Sequence, residues 1–167
     1  DSYADRRSYV WTYEYQTMPK GWLEVEYYLT EEQPDMQRAK PNIWKQQVEL
    51  EYGITDHWDI SMYQQFEQSN TDESSDFKYE GFKIRTRYRV SERGSLPVDV
   101  LFYLEYIRPG DFKEPNELEE KLVLAKDIGN FNISYNQIFV QKLESSAVAE
   151  YEYAAAISYE ITPSFKV

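Results

Sequence analysis

Four cationic side chains occupy alternate positions in the middle of the sequence: Lys83, Arg85, Arg87 and Arg89. Between and beside them, across residues 82–90, the side chains are apolar or weakly polar. Because successive side chains of a β-strand point to opposite faces, this stretch predicts one strand with a cationic face and an apolar face. Unpaired charges cannot be packed in a dry core, since burying each one costs several kcal/mol or more. The cationic face must therefore meet water or carboxylates, while the other face meets an apolar medium.

Carboxylates alternate in the same way on two earlier segments. If the apolar faces point outward, both sets of charges line a water-filled lumen. Acidic and basic walls opposed across that lumen would produce a transverse field, which orders water and selects polar solutes. The alternative is a ladder of ion pairs between neighbouring strands that fills a closed barrel. The predicted lining residues are Lys83, Arg85, Arg87, Arg89, Glu24, Glu26, Glu49 and Glu51.

Covalent chemistry is hard to build from the remaining residues. The single histidine, His57, lies between Asp56 and Trp58 in a predicted turn, where neighbouring side chains usually point to different sides. With one histidine and no cysteine we expect no transition-metal site. The acidic loop residues match no calcium-loop spacing, and no glycine-rich phosphate loop is present. The sequence therefore predicts no enzyme, no metal and no cofactor.

Nine segments of alternating polarity must position the charged residues. Prolines and glycines lie almost entirely between these segments, which divides the chain cleanly. Residues 117–126 are the one stretch whose leucine spacing would also suit a helix. The predicted strands cover residues 9–16, 22–30, 43–52, 59–68, 77–90, 98–107, 117–126, 131–142 and 149–160, and a tenth strand begins after Pro163.

Composition agrees with a chain of interleaved polar and apolar residues. Of 167 residues, 17% are aromatic and 16 are Tyr, whereas the mean hydropathy is only −0.75. No apolar run approaches the roughly 20 residues that a membrane-spanning helix needs. A net charge of −12 makes nucleic acid an unsuitable partner, because binding phosphates requires a basic surface.

The lengths of strands and connections favour a membrane barrel over a soluble fold. Short connections near residues 19, 55, 94, 129 and 163 alternate with longer polar ones near 36, 72, 112 and 145. Strands of soluble domains usually have about 5 to 6 residues, whereas membrane-spanning strands need about 9 to 11. Short turns on one side and long loops on the other are typical of an antiparallel up-and-down transmembrane β-barrel.

Aromatic residues near the strand ends suit the same interpretation. Interfacial girdles of membrane barrels collect Trp and Tyr, whose rings prefer the headgroup layer. Ordinary edge packing in a soluble fold and a stacking surface for sugars are the alternatives. The predicted interfacial residues are Trp11, Trp22, Trp44, Trp58, Tyr106 and Tyr159.

Three short turns resemble those of Gram-negative outer-membrane β-barrels of the porin or transporter type, without indicating a particular family. They read Tyr-Gly-Ile-Thr-Asp-His-Trp at 52–58, Lys-Asp-Ile-Gly-Asn-Phe at 126–131 and Tyr-Glu-Ile-Thr-Pro-Ser-Phe at 159–165. The resemblance implies a single β-barrel domain over residues 1–167. We expect it to be an incomplete portion of a larger barrel, because the sequence stops just after a turn.

The expected function follows from that resemblance. The barrel would lie in the outer membrane with the lipid bilayer as its partner. It would act as a passive porin-like channel, or as a structural barrel docking other envelope proteins. The alternative is a soluble periplasmic β-sandwich or lipocalin-like protein that binds a ligand.

Overall fold

The structure, a computed structural model, describes Tyr9 and residues 12–144, 147–162 and 165–167, with the side chain of Lys166 excepted. Eight long strands of 10 to 15 residues run antiparallel in chain order, and a two-residue strand follows them. No α-helix occurs in the described ranges, so none of their residues forms a helix that could cross a membrane. The strands are β1 (Leu23–Glu32), β2 (Asn42–Thr55), β3 (Trp58–Asn70), β4 (Ser75–Arg89), β5 (Asp99–Pro109), β6 (Glu117–Ile128), β7 (Phe131–Lys142), β8 (Glu150–Thr162) and β9 (Phe165–Lys166).

The sheet curls into a half-barrel whose two faces differ sharply in chemistry. Alternation along each strand sends one set of side chains to the concave face and the other set to the convex face. On β4, Arg85 is fully buried, whereas its neighbour Ile84 is 41% exposed. On β5, Glu105 is buried and Phe102 is 54% exposed. Charged side chains are thus buried inside the curl, and apolar ones cover its outside.

Eight of the nine predicted strands are confirmed, as β1 to β8. Residues 117–126 lie in β6 and not in a helix. The expected alternation of short and long connections is wrong at one place, because the β3–β4 connection (71–74) is shorter than the β4–β5 connection (90–98).

The strand predicted at residues 9–16 is wrong over residues 12–16, which form no strand. Residues 12–22, here called the inner segment, instead cross the concave face from β7 to β2. The Ser134 hydroxyl donates to the Tyr13 carbonyl at 2.9 Å, and the Met18 amide donates to Asp59 Oδ2 at 2.9 Å. Backbone bonds between Gly21 and Gly53 then join the segment to β2.

A small apolar core lies under the inner segment. Tyr15 packs with two residues of β5 and two of β6, all at most 3% exposed: Leu101, Tyr103, Val123 and Ala125. The Tyr13 ring meets the Tyr103 ring edge-on at 4.9 Å between centroids. Tyr13 and Tyr15, which alternate along the strand predicted at residues 9–16, therefore pack onto the sheet from inside it.

Candidate functional site

Five charged side chains form a buried group on the concave face, here called the ion cluster: Glu49, Glu51, Asp59, Arg85 and Arg87. Each is at most 6% exposed. Arg87 reaches Asp59 through Nε at 3.1 Å to Oδ1 and through Nη2 at 2.7 Å to Oδ2. Arg85 Nη2 lies 3.0 Å from Glu49 Oε1, and both arginines also contact Glu51. Two arginines thus face three carboxylates, so the cluster carries one negative charge in excess when all five groups are ionised.

The strand register brings these residues together. Glu51 is opposite Ser61, and Ser61 is opposite Arg85, so these three residues lie in one row across β2, β3 and β4. Asp59 pairs directly with Arg87 in the next row. Because neighbouring rows on the same face are two residues apart, both arginines can reach Glu51.

Other groups supplement the ion pairs. The Arg85 guanidinium lies 5.4 Å from the centroid of the Tyr63 ring, within the range of a cation–π contact. The Met18 amide of the inner segment supplies a further donor to Asp59. Within the described part of the chain, Arg85 Nε and Nη1 make no hydrogen bond. These contacts favour the ladder of ion pairs over two charged walls opposed across a lumen.

All eight predicted lining residues lie on the concave face. Four of them, Glu49, Glu51, Arg85 and Arg87, belong to the ion cluster, and the other four lie around it. Lys83 Nζ is 3.2 Å from Glu105 Oε1, and Arg89 Nε donates to the Thr17 hydroxyl at 2.7 Å. Glu24 and Glu26 of β1 are half-buried opposite Glu51 and Glu49. Reasoning from the sequence missed Asp59, although its place at the start of an alternating segment put it on the charged face.

The concave face also holds a cavity of about 700 Å³ beside the ion cluster. The cavity is formed by β1 to β6, near the strand ends that are joined by the loops at 33–41, 71–74 and 110–116. Tyr13 of the inner segment and Tyr63 of β3 belong to its wall. Amide and charged side chains make up most of the remaining wall. The lining residues include Tyr28, Lys45, Gln47, Gln65, Glu67, Glu80, Lys83, Glu105, Glu119 and Lys121.

The charged groups of this wall are paired with one another or with neighbours. Lys121 Nζ lies 2.5 Å from Glu119 Oε1 and also sits over the Tyr13 ring, 3.9 Å from its centroid. Lys83 is paired with Glu105. Outside the wall, Lys78 contacts both Glu67 and Glu80, and Glu32 contacts Lys45. The cavity is therefore strongly polar but carries little uncompensated charge.

The predicted interfacial aromatic residues fall at both ends of the strands. Trp22, Trp58 and Tyr159 lie near the end of the sheet that carries the β2–β3 connection (56–57) and are 38% to 44% exposed. Trp44 and Tyr106 are half-buried near the opposite ends of β2 and β5. Trp11 lies outside the described residues.

Metal ligands and similarity to known proteins remain to be described. No group of three or more His, Cys, Asp or Glu within the described ranges is placed to hold a metal ion. Comparisons with protein-family models, with curated proteins and with solved structures give no match to this chain.

Proposed function

We propose that this chain forms part of the wall of an outer-membrane β-barrel, with its convex face in lipid and its concave face towards a polar lumen. The observation that carries the proposal is the inverted distribution of side chains. Ion pairs are buried on the concave face, while large apolar residues are exposed on the convex face of every long strand. Exposed apolar patches of this extent mark surfaces that meet a membrane or another protein.

Three pairs of polar groups on the convex face support contact with hydrocarbon, because the two members of each pair are bonded to one another. Tyr27 donates to Gln46 at 3.0 Å, and Tyr79 donates to Gln64 at 2.8 Å. The Trp58 indole donates to the Thr86 hydroxyl at 2.8 Å. In lipid no water is available to satisfy such groups, so internal pairing lowers the cost of placing them there.

Strand length and aromatic placement fit the same proposal. Strands of 10 to 15 residues match or exceed the roughly 9 to 11 residues that a tilted strand needs to cross a bilayer. Trp and Tyr at both strand ends match the two interfacial girdles of such barrels. β1 is one edge of the curled sheet, and β8 is the other apart from its end, which pairs with the two-residue β9. An open edge is not tolerated in hydrocarbon. We therefore propose that further strands complete the barrel.

The barrel would act as a passive conduit for polar solutes. A structural barrel that docks envelope proteins is the second candidate, and the inner segment favours it, because this segment and the ion cluster occupy part of the concave face. Ion current across planar bilayers distinguishes them. A conduit gives steady conductance that changes when Lys83 and Arg89 are neutralised, whereas a structural barrel gives none.

Membrane insertion is tested by adding charge to the convex face. We expect the complete protein, in which further strands close the barrel, to float with dilauroylphosphatidylcholine vesicles, and its variant Met62→Arg/Ile84→Arg/Phe102→Arg to remain in the soluble fraction. Each arginine near the bilayer midplane costs about 2–4 kcal/mol.

The matched control makes the same change at three exposed apolar loop residues: Met36→Arg/Phe112→Arg/Val148→Arg. These side chains are 79% to 89% exposed, and we expect their replacement to leave flotation unchanged. Equal flotation of the two variants, or a parent chain that stays soluble and folded without vesicles, would contradict the proposal.

A further inference from the structure

The cavity on the concave face has the size of a ligand site. Its volume of about 700 Å³ falls within the roughly 300–1,000 Å³ of typical small-molecule pockets. It lies between the inner segment and strands β1 to β6, so one side of its wall is formed by Tyr13 and Lys121. We infer that this cavity binds a neutral, hydroxyl-rich ligand, of which a short oligosaccharide is the natural class. This inference rests on the concave face alone and is independent of what the convex face contacts.

The paired charges of the wall argue against an ionic ligand. Lys83 and Lys121 already have carboxylate partners at 3.2 and 2.5 Å. An anion would have to compete with Glu105 and Glu119 for these ammonium groups, and a cation would have to compete with the lysines. Separating a buried or half-buried ion pair is costly. A neutral ligand can instead accept from, or donate to, the paired groups without displacing them.

Two neighbouring amides supply the bonding pattern that hydroxyl groups need. Gln65 Nε2 donates to Gln47 Oε1 at 3.0 Å across β2 and β3. An amide carries two N–H donors and a carbonyl acceptor, so the bond between these two amides uses only one donor and one acceptor of the pair. Adjacent donors and acceptors of this kind can bond adjacent hydroxyl groups of a sugar ring.

Tyrosine rings give the wall an apolar component that suits the faces of sugar rings. Tyr13, Tyr28 and Tyr63 all line the cavity. The Tyr13 ring is fixed by its edge-on contact with Tyr103 and by Lys121 over its face, and its backbone is bonded to Asn136. A ring held in this way loses little conformational entropy when a ligand binds. The wall thus combines fixed aromatic surface with amide and charged hydrogen-bonding groups.

The experiment measures binding to the full chain in detergent by isothermal titration calorimetry. The neutral probes are maltotriose and cellotriose, and the charged probes of similar size are trigalacturonate and the chitosan trimer. We expect saturable binding of a neutral trisaccharide, and weaker binding of both charged trimers. Tighter binding of either charged trimer, or no saturation by either neutral one, would overturn the inference.

Matched glutamine variants locate the site. We expect Gln47→Leu/Gln65→Leu to lower the affinity for the neutral trisaccharide about tenfold or more, because several hydrogen bonds are lost. The control Gln137→Leu/Gln141→Leu makes the same change on β7 away from the cavity and should alter the affinity less than about twofold. Circular dichroism confirms that each variant is folded. Equal losses of affinity in two folded variants would place the binding elsewhere and contradict the assignment.

Discussion

Arg87 lies between two carboxylates that are buried on the concave face, Asp59 and Glu51. Removing one partner from a buried ion pair leaves an uncompensated charge, which typically costs about 3–5 kcal/mol. We therefore expect Arg87→Met to lower the free energy of unfolding by about that amount, as measured by urea denaturation of the full chain. Methionine retains much of the apolar part of the arginine side chain, so the lost free energy of unfolding reports the missing charge and its hydrogen bonds.

An exposed arginine provides the control for this measurement. Arg38 pairs with Asp35 at 3.7 Å, but its side chain is 72% exposed. Surface ion pairs contribute little, so Arg38→Met should change the free energy of unfolding by less than about 1 kcal/mol. If Arg87→Met had an equally small effect, the ion cluster would have to be open to water, in conflict with its burial.

The alternation of side chains along a strand predicts which residues share a face, but it does not predict which of them touch. Lys83, Arg85 and Arg87 had to lie together because strand geometry leaves no other arrangement. Their contacts with Glu51 and Asp59 depend on the register between strands that are separated by loops. That register is set by packing across the whole sheet, and a local pattern does not contain it. The sequence therefore left the ladder and the opposed walls as alternatives.

At the scale of elements, the inner segment depends on a close approach to β2 at Gly53. A Cβ atom added there would lie 2.0 Å from the Pro19 carbonyl oxygen, which is far inside contact distance. Backbone bonds of 2.8 and 3.0 Å join Gly53 to Gly21 and Trp22 at the same place. Only a residue without a side chain allows the two backbones to come this close.

We expect Gly53→Ala to displace the inner segment from the sheet. The Met18 amide, which donates to Asp59, should then exchange its hydrogen markedly faster, as measured by hydrogen–deuterium exchange with mass spectrometry. Gly94→Ala is the control, because a Cβ at Gly94 meets no atom within 4 Å and strains only its own turn. Unchanged exchange in the Gly53 variant would show that the segment is held independently of β2.

The elements themselves were largely predictable, with one informative exception. β1 to β8 have sustained two-residue periodicity between breakers, and this signal is local. The inner segment shows the same alternation at Tyr13 and Tyr15, yet side chains such as Asn136 and Ser134 satisfy part of its backbone. An alternating segment joins a sheet or packs across it depending on which hydrogen-bonding groups are available to its backbone. These groups are distant in sequence, so a local pattern does not reveal them.

For the molecule taken together, the inverted arrangement of polar and apolar faces is the property on which the proposed function rests. A soluble sandwich would bury residues such as Leu50 and Phe102 between two sheets. Here they are 40% and 54% exposed, whereas Arg85 and Asp59 are fully buried. The sequence predicted the two faces, but curvature and the cavity arise only when the strands and the inner segment assemble.

The most direct measurement uses the absence of native cysteine to place single spin labels on each face. The convex sites are Leu50→Cys and Phe102→Cys, and the concave sites are Glu24→Cys and Gln47→Cys, each in the full chain reconstituted into vesicles. Oxygen concentrates in hydrocarbon, whereas a neutral nickel chelate stays in water. We predict that the convex labels collide mainly with oxygen and the concave labels mainly with the nickel chelate. If all four labels favoured the nickel chelate, the convex face would lie in water and the membrane assignment would be wrong.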